Sequence, residues 1–253
     1  MTGRFSRRDL LKTTAAAGIA GLPASARAQE LPAAAPPGAA PAPQGAAGAD
    51  ETLLFFFTTE EARFVEAAVD RLIPPDEQWP GAAWAGVVTF IDQQLAGAYG
   101  SGARMYLEGP WKPDAPPQQG YQLRYNPAEL YRTGIREARE WIAGRFGAEF
   151  WELAPEVQDQ ALSALESGAA ELPSLPSPVF FETLLANTVE GWFADPAYGG
   201  NRDMVAWRMV GFPGAFAQYV DLVELYDRPY TRPPISLANQ EARRMHLKGH
   251  EHG

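Results

Sequence analysis

Residues that commonly do chemistry are few in this chain, and their positions restrict what they can do. The three histidines, His246, His250 and His252, all lie in the charged tail "RRMHLKGHEHG". His246, His250 and Glu251 could ligate a metal, although a terminus of this composition is more often solvated and frayed. With no histidine inside the folded region, no Ser-His-Asp set can be assembled there. The chain has no Cys, which excludes disulfides, thiolate metal sites, iron–sulfur clusters and CxxCH haem attachment. Gly100-x-Gly102 lacks the strand–turn–helix context of a dinucleotide fingerprint. Asp70, Asp92 and Glu190 fall on or near apolar helix faces, where a carboxylate pair could serve acid–base work. Capping or salt bridging is the commoner role of such groups. No catalytic, cofactor-binding or metal-ligating residue is therefore assigned to this chain.

The stretch "FFETLLANTVEGWFADPAYGGNRDMVAWRMVGFPG", from Phe180 to Gly214, is unlike the rest. Asp195-Pro196 must end a helix, because proline disfavours the α conformation in the residue before it. Gly199-Gly200 can take positive φ without steric cost. Asn201 is placed to cap the next helix, whose first amides lack intrahelical partners. Trp192, Phe193, Tyr198 and Trp207 concentrate rigid aromatic area beside this turn. Core packing is one use of such residues; anchoring a protein partner is the other. Trp192, Phe193, Tyr198, Gly199, Gly200, Asn201 and Trp207 are the expected partner-contact residues.

The elements that must position this stretch are helical. Thr58 and Glu61 form a capping box, followed by Phe64, Val65, Ala68, Val69, Leu72 and Ile73 at helical spacing until Pro74-Pro75. A second stripe, Trp84, Val87, Val88, Ile91 and Leu95, starts after Pro80-Gly81 and ends by Gly100. Asn126-Pro127 opens a third helix, Pro155 a fourth and Pro178 a fifth. Asn201 opens a sixth, and Phe216 to Tyr226 reads as a seventh. No useful length alternates with period two. The expected fold is all-α, an irregular orthogonal bundle of six or seven helices with long Pro/Gly-rich loops. The longest loop, Tyr99 to Pro127, is of a length usually functional or laid on a partner.

Both ends differ from this domain. Arg4, Arg7, Arg8 and Lys12 form a basic head, Thr13 to Ala24 a weakly apolar run, and Ala26-Arg27-Ala28 a small-x-small cleavage site after Ala28. Ser6-Arg7-Arg8-Asp9-Leu10-Leu11-Lys12 resembles the twin-arginine export signal. Residues 1–28 are thus expected to be a leader, 29–50 an Ala/Pro-rich linker, 51–235 the helical domain and 236–253 the charged tail. Removing the leader takes five basic residues and one acidic residue from totals of 21 and 31, leaving 16 and 30, net −14. Such a surface argues against binding nucleic acid, which wants a basic stripe, and against adhesion to anionic lipid.

Two blocks, "FVEAAVDRLIPPDEQWPGAAWAGVVTFIDQQL" and the Phe180–Gly214 stretch, resemble the gluconate 2-dehydrogenase small subunit family (subunit 3). The shared pattern falls on Ile73-Pro74, Pro80-Gly81-Ala82, Phe90-Ile91-Asp92, Glu190 through Asn201 and Gly211 through Gly214. Ala206 departs from it, standing where the family usually has glycine before Trp207.

The resemblance implies a non-catalytic small subunit of a periplasmic dehydrogenase acting on gluconate, sugars or alcohols. The implied partners are a glucose–methanol–choline-class flavoprotein holding FAD, a multihaem cytochrome c with haem c in a third subunit of many such complexes, and the twin-arginine translocase. The small subunit would carry the export signal for a flavoprotein that has none and would stabilise it; any membrane association would come through the partner subunits. Two other readings stay open. The chain could be a stand-alone periplasmic enzyme using buried carboxylates, or a periplasmic binding module for a sugar or redox ligand.

Overall fold

The computed structural model describes residues 53–112, 115–215, 226 and 233–237. The chain divides into two units, Met1–Pro41 and Ala42–Gly253, and every described residue lies in the second. The leader with Arg7, Arg8 and Ala28, the whole 29–50 linker, and the tail histidines lie outside the described residues.

Local signals set most helix ends. Helix α1 (Thr59–Leu72) starts at the complete Thr58/Glu61 capping box and stops at Ile73, whose amide bonds the Val69 carbonyl before Pro74. Helix α2 (Val87–Ala96) begins three residues later than the apolar stripe suggests. Trp84 sits in the preceding turn, because Gly86 takes φ 82°, which breaks the helical path there. Helix α3 (Pro127–Phe146) carries a second full capping box, Asn126 with Glu129, with proline in the first turn, where a missing amide is harmless. Helices α4 (Pro155–Ser167) and α5 (Ser177–Phe193) follow, each also with proline in its first turn. Helix α6 is short, Val205–Val210. The expected seventh helix falls outside the described residues except for Tyr226.

The fold is all-α, as expected. Among the described residues there is no strand, only an isolated parallel bridge between Gly214 and Ile235. No helix of the described residues is long and apolar enough to cross a membrane.

Helix α5 is the hub: it packs against α1, α2, α3, α4 and α6. Its Phe180 meets Phe64 of α1 at 6.5 Å and Tyr131 of α3 at 6.0 Å, and Phe64 in turn meets Phe150 at 5.3 Å. All four rings are fully buried. Each ring buries enough apolar area to contribute about 2–3 kcal/mol. The C-terminal end of α5 is therefore held by the core of the whole domain, and the Asp195–Met204 loop leaves from that end.

Candidate functional site

The site is built where α5 ends. Ala194 and Asp195 turn to extended backbone, and Asp195 accepts from the Ala197 amide at 2.9 Å to start a 3₁₀ turn, Pro196–Tyr198. Asp195 also reaches across the chain, accepting from Ser236 Oγ at 2.7 Å and from the Leu237 amide at 2.8 Å. The backbone of Ile235 pairs with Pro213 and Ala215. Residues 233–237 thus form a strap tied to both ends of the α5–α6 junction.

The loop is docked on α2 as well. Gly199 takes φ 91°, and its carbonyl lies 2.5 Å from where a Cβ on Gly86 would stand. The Arg202 amide donates to the Ala85 carbonyl at 2.9 Å, and the Arg202 guanidinium lies over the Trp84 ring at 5.6 Å.

Asn201 is the bolt of this arrangement. It is fully buried, its Nδ2 donates to the Ala194 carbonyl, and its Oδ1 accepts from the Ala206 amide, both at 2.9 Å. It does cap a helix amide, but not from the usual N-cap position. Its own φ is 46°, and a 3₁₀ turn, Arg202–Met204, intervenes before α6. Asp203 and Met204 also have positive φ, both 55°. Three non-glycine residues of four in the left-handed region cost roughly 1–2 kcal/mol each. Such local strain persists only where surrounding contacts over-determine it, and it gathers at functional sites.

The expected contact residues separate into two groups. Trp192, 1% exposed, belongs to the core. Gly200 and Asn201 are buried, Phe193 and Gly199 half-buried. Trp207 is buried and donates from Nε1 to the Phe193 carbonyl at 2.9 Å. These residues hold the loop from within. Only Tyr198, 51% exposed, turns fully outward. The expectation of positive φ is met at Gly199 but not at Gly200. What Gly200 requires is space: a Cβ there would fall on the carbonyl oxygen of Gly191.

Other exposed apolar residues were not singled out in advance. Phe212 (46% exposed) packs edge-on against Trp207 at 5.2 Å, and Val210 (52%) at the end of α6 and Leu237 (39%) on the strap are exposed as well. Phe212 was legible as an aromatic beside a Pro-Gly turn. Leu237 joins through the Asp195 bonds, for which the sequence carries no signal.

The carboxylates considered for acid–base work are each occupied elsewhere. Asp70 accepts from the Ala83 amide at 2.9 Å, and its burial raises its pKa. Asp92 accepts three backbone amides. Glu190 accepts from Asn187 Nδ2, while Tyr99 and Tyr131 both donate to Asn187 Oδ1. Burial pushes both phenols up, so they act as neutral donors at physiological pH. Among the described residues no group of His, Asp and Glu could hold a metal ion. Gly100 and Gly102 lie in turns after a helix, not after a strand, so they make no dinucleotide cradle.

An open groove of about 590 Å³ lies between α1 and α3. Its arginines are committed: Arg132 to Glu61, Arg136 to Glu137, and Arg139 to Glu60 and Glu149. These pairings neutralise the arginines of the groove.

A family model described as gluconate 2-dehydrogenase subunit 3 matches residues 59–214. The match runs from the first residue of α1 to Gly214 and contains the whole Asp195–Met204 loop. No curated protein and no solved structure matches the chain.

Proposed function

The chain belongs to the gluconate 2-dehydrogenase subunit 3 family, and from that premise we propose that it is the non-catalytic small subunit of an FAD-dependent dehydrogenase complex. It binds the flavoprotein and carries it through the twin-arginine route to the periplasm. The observation that carries this reading is the Asp195–Met204 loop. A strained backbone segment is braced by α2, α5, α6 and the 233–237 strap; Tyr198 on the loop, Val210 and Phe212 at the end of α6 and Leu237 on the strap are exposed. Rigid aromatic and aliphatic side chains on a pre-organised support suit protein docking, because little freedom is lost on binding. The FAD and the hydride chemistry belong to the partner, and haem c to a cytochrome subunit where the complex contains one. The buried carboxylates of this chain are engaged by backbone and amide groups, which supports a binding role.

Export is tested by deleting residues 1–28 in cells that also produce the flavoprotein. The proposal expects both proteins to stay in the cytoplasm and periplasmic dehydrogenase activity to disappear. Unchanged periplasmic activity would mean the flavoprotein has its own route.

A further inference from the structure

The Phe90-Ile91-Asp92 motif is not used by the docking face, yet its aspartate is among the most completely buried charged groups described. Asp92 is 0% exposed, and among the described residues no cation pairs with it. Its carboxylate is satisfied instead by three consecutive backbone amides just ahead of α1. Phe55 donates to Oδ2 at 2.7 Å, and Phe56 and Phe57 donate to Oδ1 at 3.0 and 2.8 Å. Arg132 of α3 secures the same segment: it donates to the Phe56 carbonyl, pairs with Glu61 and lies 4.0 Å over the Phe56 ring. Phe57 is buried against Tyr131 at 6.1 Å. Leu53 and Phe55 point outward, 78% and 68% exposed.

These contacts are unequal in what they leave behind. If residues 53–57 lifted away with the domain otherwise intact, the Asp92 carboxylate would lose three charge-assisted hydrogen bonds at once, leaving only water to replace them. The segment therefore cannot be released cheaply by itself. Conversely, the carboxylate is in place to hold it only when α2 is packed. We propose that Asp92 is a folding-dependent latch on the N-terminal arm: it holds the junction between linker and domain only when α1, α2 and α3 are assembled. Resting on the export reading above, it thereby allows the leader to be used efficiently only on a folded domain.

The test uses the full chain with its dehydrogenase partner. Hydrogen exchange on the unmutated protein needs no variant to fold. The amides of Phe55, Phe56 and Phe57 should be protected to the same degree as those of Phe90 and Ile91, with the same denaturant dependence. Exchange orders of magnitude faster than α2 overturns the latch. In Asp92→Asn, chymotryptic cleavage at Phe55–Phe57 should rise about 10- to 100-fold, the factor carried by losing a hydrogen bond to a charged acceptor. The comparison is made below the melting temperature of the variant, and unchanged cleavage also overturns the latch. In cells, folded Asp92→Asn precursor should be exported several-fold less than the unmutated chain. Equal export of the variant overturns the gating role and leaves the twin-arginine reading intact. Failure of the unmutated chain to use that route would refute the reading itself.

Discussion

Gly200 stands directly over the Gly191 carbonyl, so that the loop leaving α5 folds back onto the last turn of the same helix with no room for a side chain between them. Two glycines, nine residues apart, meet backbone to backbone. This contact sets how closely the Asp195–Met204 loop lies against the bundle, and through Gly199 and Gly86 it sets the loop's height over α2 as well.

Gly200→Ala should therefore destabilise through contact with a carbonyl that cannot move without disturbing α5. Overpacking of this kind costs about 1–3 kcal/mol. In a domain of this size that corresponds to a fall of roughly 2–12 °C in melting temperature. Thermal unfolding followed by circular dichroism checks it. An unchanged melting temperature would mean the loop can lift from α5 freely.

Asn201 joins two backbone groups, the part-buried Ala194 carbonyl and the buried Ala206 amide. Asn201→Ala should leave the Ala206 amide and the Ala194 carbonyl unsatisfied, at about 1–3 kcal/mol for each group. Asn201→Asp keeps an acceptor for Ala206 but sets a carboxylate against the Ala194 carbonyl, so it should also destabilise. Denaturant midpoints of the two variants test this. An aspartate variant as stable as the parent would show that only the Ala206 bond matters.

The pH dependence of stability has a local source at Glu137. Burial alone would raise this carboxyl; Ser174, whose amide donates at 2.9 Å, and Arg136, paired at 2.9 Å, outweigh burial and hold it below its ordinary value of 4.5. The folded state thus favours the ionised form. Its stabilisation is present above pH 4.5 and is lost as pH falls through the lowered value. Glu137→Gln should lower stability at neutral pH and flatten the acid limb of the stability profile. An acid limb as steep as the parent's would assign it to other carboxylates.

Much of this architecture could be read from local signals, because those signals act over a few residues. Thr58 with Glu61 and Asn126 with Glu129 mark helix starts through short-range hydrogen bonds, and Pro155 and Pro196 mark boundaries through their own sterics. The start of α2 was misplaced because Trp84 continues the apolar spacing, while Gly86 breaks the helix for a reason 113 residues away, at Gly199. The aromatic stretch was identifiable as special, but which side chains face outward was not. Trp192 and Tyr198 differ by six residues and look alike as anchors, yet one fills the core and the other stands half in solvent. Asp92 was legible as a carboxylate on an apolar face; its three amide donors lie 35–37 residues earlier, in a stretch without periodicity.

The central claim is that the exposed side chains of the loop and of the turn after α6 bind the FAD-dependent dehydrogenase. It is tested most directly by measuring the affinity of that flavoprotein for Tyr198→Ala, Phe212→Ala and Trp192→Ala, alongside each variant's melting temperature. Tyr198 and Phe212 are predicted to lose about 2 kcal/mol or more of binding, some 30-fold in Kd, with little change in melting. Trp192, being core, should instead lose about 3–5 kcal/mol of stability while its folded fraction binds normally. Unchanged Kd in both Tyr198→Ala and Phe212→Ala would contradict the account.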